Sequence, residues 1–193
     1  MILVVAIAAA TGFWLAHRLD HSIPALTSGT WLPQPRDPGE FSLTDQNNAQ
    51  FSATRLKGAP SLVYFGYTHC PDVCPLTLLQ LAQVVKSGVV PGLRVVFISV
   101  DPARDSPAQL AQYVHAFDPD FIGLTGTPAM LQKVARTFGV AFLRVDLPGG
   151  DYSVDHSATV FLMDSRGHNV AVFNPPYDVK SLTADLRRGA SEL

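Results

Sequence analysis

Apolar and polar positions divide this chain into three stretches of different character. From Met1 to Ala16 (MILVVAIAAATGFWLA) no side chain is charged, and only Thr11 and Gly12 interrupt the apolar run. Nothing in that run supplies a polar face, so it does not read as a helix packed on a core. Its sixteen residues fall just short of the roughly 17–25 that a membrane helix needs. A cleaved signal would show a charged leader and a small-residue cleavage site; neither is evident, and the segment reads as an uncleaved N-terminal membrane anchor over residues 1–16. Residues 17–39 hold Pro24, Pro33, Pro35 and Pro38. Proline removes donors and fixes φ, so this stretch predicts an extended tether rather than a packed element.

From residue 40 to 193 the pattern is that of one globular domain. Ser61–Tyr67 (SLVYFGY) and Leu93–Val100 (LRVVFISV) are short continuous apolar runs, which suit buried central strands. Leu78, Leu79, Leu81, Ala82 and Val85 recur at helical spacing within Leu76–Lys86, with Gly88 as a stop. Ser106 followed by Pro107 predicts a capped helix to Phe117, and Thr127 followed by Pro128 another, closed by Gly139. Phe121–Leu124, Val140–Val145, Thr159–Met163 and Val170–Phe173 read as strands, with Arg166-Gly167 turning the last pair. A helix over Val179–Arg188 ends the pattern. Strands alternating with helices, then a hairpin and a helix, predict an α/β fold with a mixed central sheet flanked by helices.

Composition narrows the function. Of 193 residues 16% are charged, against a typical value of about 25%, while 47% are hydrophobic and the net charge is −2. That excludes disorder as the overall description, and the lack of a basic run leaves no footprint for nucleic acid. Two cysteines cannot build a multi-disulfide framework. The absence of an Arg-rich transit segment favours a bacterial inner-membrane protein facing the periplasm over a mitochondrial one.

Those two cysteines carry the chemistry. Cys70-Pro71-Asp72-Val73-Cys74-Pro75 lies between the first core strand and the first helix, a placement that narrows the fold to a thioredoxin-like arrangement. Pro75 suits the first helical position. Cys74 would then be the N-cap, with a thiolate favoured by the helix dipole. Four residues at helical rise separate the two Cα atoms by roughly 6 Å, within reach of a disulfide. The pair can therefore be a disulfide, a reactive dithiol or two soft ligands. Two thiolates suit Cu(I), zinc or an iron–sulfur centre, and an added imidazole suits copper or zinc. Among the six histidines, His69 adjoins Cys70, whereas His156 sits in an expected loop between Asp155 and Ser157, neighbours able to orient an imidazole. Spacing alone leaves those two candidates level.

Tyr64–Leu78 (YFGYTHCPDVCPLTL) resembles the signature of the Sco/SenC copper proteins, which assist assembly of cytochrome c oxidase. Phe97–Asp105 (FISVDPARD), Phe117–Gly126 (FDPDFIGLTG) and Val154–Asp164 (VDHSATVFLMD) resemble three further blocks of that family, in its order. The resemblance implies one copper ion per chain, as Cu(I) or Cu(II), held by Cys70, Cys74 and His156. It implies a metallochaperone rather than an enzyme, with cytochrome c oxidase subunit II and its CuA centre as partner, and another periplasmic copper carrier or thiol reductant as further partners. The alternative from another class is a thiol–disulfide oxidoreductase that keeps the CuA cysteines reduced, with Cys70 and Cys74 as its redox-active pair. Asp72 reads equally as a turn residue or a tuning charge. Asp101–Asp105 is largely explained by a strand end and a helix cap, and Tyr64, Phe65 and Tyr67 read as core.

Overall fold

The computed structural model describes residues 25–193; the expected anchor at 1–16, and the first part of the tether, lie outside the described residues. The strand Ser61–Gly66 (β4) is buried at all six positions. It lies between Arg94–Ser99 (β5), to which it is parallel, and Val160–Met163 (β9), to which it is antiparallel. Outward from β5 follow Ile122–Thr125 (β6, parallel), Ser42–Asp45 (β2) and Gln50–Ser52 (β3). Outward from β9 follow Asn169–Phe173 (β10) and Gly29–Arg36 (β1). The expected mixed sheet is therefore present, with eight strands.

The crossover from β4 to β5 is the helix Val73–Lys86 (α1), and that from β5 to β6 is Pro107–His115 (α2). The helices Pro128–Phe138 (α3) and Val179–Arg188 (α4) complete the layers, with α4 against α1. Their ends obey the capping chemistry of the sequence. Ser106 accepts from the Gln109 amide and Thr127 from the Met130 amide, each with proline in the first turn. Gly139 closes α3 at φ +71°, a conformation that a Cβ would strain.

Two expectations fail, each for a physical reason. The tether is not free of the sheet, because residues 29–36 form β1, antiparallel to β10. Its prolines are tolerated because β1 is an edge strand, where one side of the backbone needs no ladder partner. The register breaks between Trp31 and Arg36, the span that holds Pro33 and Pro35. Gly29 lets the chain lie flat there, since a Cβ would fall 2.4 Å from the Phe173 ring. Secondly, residues 152–156 are a strand rather than a loop: Tyr152–His156 (β8) pairs with Phe142–Asp146 (β7) as a ribbon separate from the large sheet.

The start of β1 is tied down by Asp185 of α4, whose side chain is fully buried. Its carboxylate accepts from the Thr27 and Ser28 amides at 2.7–3.0 Å, from the Ser28 hydroxyl, and from Arg188. Burial alone would raise its pKa, but these donors outweigh burial and the net shift is downward. A depressed folded-state pKa contributes stability above the unfolded value and loses it as pH falls through the folded one. Asp185→Asn should therefore cost about 2–3 kcal/mol at pH 7, read from urea midpoints. The gap between wild type and variant should narrow progressively below about pH 4.

Candidate metal centre

Cys74 sits in the first turn of α1 with no exposed surface, directly behind the end of β4. The close approach is possible because Gly66 has no side chain: a Cβ there would lie 2.8 Å from Cys74 Sγ and 2.8 Å from Phe97 Cε2. Around the sulfur, the Tyr64 hydroxyl donates to Cys74 Sγ at 3.7 Å and the Tyr67 backbone amide also reaches it. His156 Nε2 lies 3.4 Å away. Cys70, half-buried in the preceding turn, is held by its own amide donating to the Tyr67 carbonyl. The turn itself is anchored by buried Asp105, which accepts from the Thr68 amide, the Thr68 hydroxyl and the Ser99 hydroxyl. Burial holds that carboxyl above its ordinary range despite those donors.

The ligand atoms of Cys70, Cys74 and His156 all lie within 4.8 Å of one another. His156 arrives from the end of β8, and its Nδ1 lies 3.1 Å from the Ser157 carbonyl. A carbonyl can only accept, so Nδ1 carries the hydrogen of that contact, and Nε2 is the ring atom turned towards the thiols. Tyr64 and Tyr67 wall the imidazole edge-on, with centroids at 6.2 and 5.9 Å. Of the two histidines that spacing left level, the one implied by the resemblance, His156, joins the thiols. His69 is exposed instead, with Nδ1 on the Thr68 hydroxyl at 3.0 Å and near Asp105.

The expected roles of the two cysteines are reversed. The helix starts at Val73 with Asp72 as its N-cap, so Cys74 is inside the first turn rather than capping it, and Pro75 is the third helical residue. Asp72 is exposed and its side chain caps nothing. The Cys70 sulfur does that work, accepting the Cys74 amide at 3.4 Å. The Cys74 thiol, then His156 and the helix amides, stabilise a Cys70 thiolate and bring its pKa well below the thiol range. Cys74 is pushed up, first by the thiolate of Cys70 and then by burial. One proton thus stays on Cys74 while Cys70 is ionised.

Sequence reading also missed the residues that shape the site without ligating. Tyr64 and Tyr67 are core, as expected, but their polar atoms serve the thiol pocket. The alternation Tyr152, Val154, His156 was the available signal that His156 sits on a strand. Asp101–Asp105 proves to reach that same strand: Arg104 bonds Asp101 at 2.5 Å and the Tyr152 carbonyl at 3.0 Å.

Comparison with known proteins identifies relatives of this chain. The sequence model of a family described as SCO1/SenC matches residues 32–191. Protein SCO1 homolog 1, mitochondrial, of Arabidopsis thaliana is 41% identical over 152 residues, covering 75% of this chain; the chain spans only 44% of that relative's length. Among solved structures, Arabidopsis thaliana ScoI with copper bound superposes with a TM-score of 0.77 at 37% identity, covering 80% of this chain and 98% of that one. Bradyrhizobium japonicum ScoI with copper bound gives 0.70 at 42% identity, covering 78% and 97%.

The thiol asymmetry and the tight approach at Gly66 each have a measurable outcome. Alkylation of the reduced, metal-free protein by iodoacetamide should proceed first at Cys70. Its rate should stay nearly flat from pH 9 down to about pH 6, where an ordinary thiol loses about tenfold per unit; peptide mapping identifies the residue. Gly66→Ala should destabilise the fold by about 1–3 kcal/mol through overpacking and abolish this selectivity by displacing the Cys74 sulfur.

Proposed function

This chain belongs to the SCO1/SenC family, and on that premise we propose that it is a copper chaperone, carrying one copper ion on Cys70, Cys74 and His156. The observation that carries the reading is the convergence of two sulfurs and one imidazole nitrogen within 4.8 Å. The donor set fits the cargo: thiolates are soft ligands that select Cu(I), the imidazole tolerates Cu(II) as well, and hard oxygen-seeking cations find no carboxylate in the set. Copper-bound relatives of the same fold support it. The recipient is the CuA centre of cytochrome c oxidase subunit II, whose own thiolates would take the ion by ligand exchange. Exchange would begin at half-buried Cys70, while fully buried Cys74 lets go last. We propose further that residues 1–16 anchor the domain on the periplasmic side of a bacterial inner membrane; the apolar run supports the anchor, and the lack of an Arg-rich transit segment favours a bacterial over a mitochondrial membrane.

A second reading rests on the reversed thiol roles. An accessible Cys70 thiolate could attack a disulfide of the partner, releasing one partner sulfur as thiolate and forming a mixed disulfide. Cys74, after losing its proton, would then attack the Cys70 sulfur. The products are a Cys70–Cys74 disulfide and a reduced partner dithiol. This route leaves no ligand role for His156.

A Cu(I) competition titration of the reduced protein separates the two. Under the chaperone reading one tight ion binds per chain, His156→Ala weakens it by roughly 10–100-fold, and His69→Ala leaves it unchanged. Weak binding indifferent to His156, together with stoichiometric reduction of a disulfide-bonded CuA-site peptide, would replace the chaperone with the reductase.

A further inference from the structure

The β7–β8 ribbon that delivers His156 belongs to no ladder of the large sheet, so something else must fix its distance from the thiols. Side chains alternate along a strand, and Tyr152, Val154 and His156 share the face of β8 turned towards the body. Each has a separate attachment. His156 meets Cys74, and the Val154 backbone hydrogen-bonds the Tyr67 hydroxyl. Tyr152 donates its hydroxyl to Asp101 at 2.8 Å.

The attachment at Tyr152 is the most elaborate. Asp101, buried at the end of β5, accepts from the Tyr152 hydroxyl on one oxygen and from Arg104 Nε on the other. Arg104 also reaches Asp151 at 3.2 Å and the Tyr152 carbonyl at 3.0 Å. Its guanidinium stacks 3.6 Å above the Tyr152 ring, while Arg144 of β7 stacks at 3.8 Å. A planar, permanently charged fork suits this combined stacking and multiple bonding, which lysine cannot reproduce. Arg104 further lies 5.6 Å from the Tyr67 ring, which itself packs edge-on against His156. Its clamp therefore bears on both ends of the ligand-bearing half of β8.

We propose that Asp101, Arg104 and Tyr152 form a clamp that positions His156 against the Cys70–Cys74 pair. They are positioning residues, since none of them supplies a ligand atom. The inference rests on the reading of His156 as a ligand, but it concerns how the ring is presented and can be tested with and without metal.

In the metal-free protein, Arg104→Gln should shift the His156 ring resonances in NMR spectra towards those of a solvated imidazole. It should also speed amide exchange across β7–β8 while leaving exchange in β4 and β5 unchanged. With Cu(I), Arg104→Gln should weaken binding roughly 10-fold, the lower end of the effect of removing a ligand's supporting partner. Combined with His156→Ala, the same change should weaken binding no further, because there is no longer a ring to position. Tyr152→Phe, which deletes one hydroxyl and keeps the stack, should show the same pattern more weakly and serves where Arg104→Gln does not fold. Equal losses with and without the His156→Ala change would overturn the clamp, as would unchanged His156 resonances in both variants. Copper binding that ignores His156 in the wild type would overturn the chaperone reading instead, and the metal-free spectra would still decide the clamp.

Discussion

A thiol with no solvent contact at the junction of β4, α1 and β8 is the constraint around which the site is organised. Cys74 cannot be ionised there alongside a second anion within 4.8 Å without a cation to balance the pair. The protein settles the conflict by asymmetry: the outer sulfur takes the charge and caps a helix, and the inner sulfur keeps its proton among a tyrosine hydroxyl, an amide and an imidazole. A monovalent cation in place of the Cys74 proton would leave the net charge of the pair at one negative unit. The buried surroundings would then meet the same electrostatic load loaded or empty.

That arrangement depends on elements of different stiffness. β4 and β5 lie at the centre of an eight-stranded sheet, buried on both faces, and α1 is driven into them by Leu78, Leu81 and Val84. The Cys74 sulfur therefore rides on a buried helix start packed against the central strands, and Cys70 on the short turn that joins β4 to it. The imidazole rides on a two-stranded ribbon that is held by side chains rather than by a ladder. Precision in the thiol pair comes from packing, and precision in the third donor comes from a small number of charged and aromatic contacts.

The difference explains what was legible in the sequence. Capped helices announce themselves through a serine or threonine followed by proline and, for α3, a closing glycine, and these ran close to their expected bounds. Buried strands with continuous apolar runs were equally plain. β1 was hidden because its prolines argue against a strand, and only its position at the sheet edge removes the conflict. β8 was hidden because YSVDH carries no apolar run, although its two-residue alternation was present. The start of α1 lies two residues ahead of its expected place, because proline is harmless anywhere among the first orphan amides, not only at the first position. That displacement reversed the assignment of the two thiols. Spacing and neighbours do not separate His69 from His156; the family resemblance selected His156, and the physical reason, its convergence on the thiols from β8, lies in tertiary contacts that the sequence does not display.

The ribbon ends in a turn, residues 147–151, where Gly149 and Gly150 both adopt positive φ and all five residues face solvent. Most of what fixes His156 lies on the body side of that turn. Lengthening or shortening the tip in even steps would keep the alternation of β8 in phase and leave the ligand where it is. In the history of such a fold, this tip is where segments could be gained, lost or exchanged, so that the outline seen by a partner could diverge while the chemistry beneath it stayed the same.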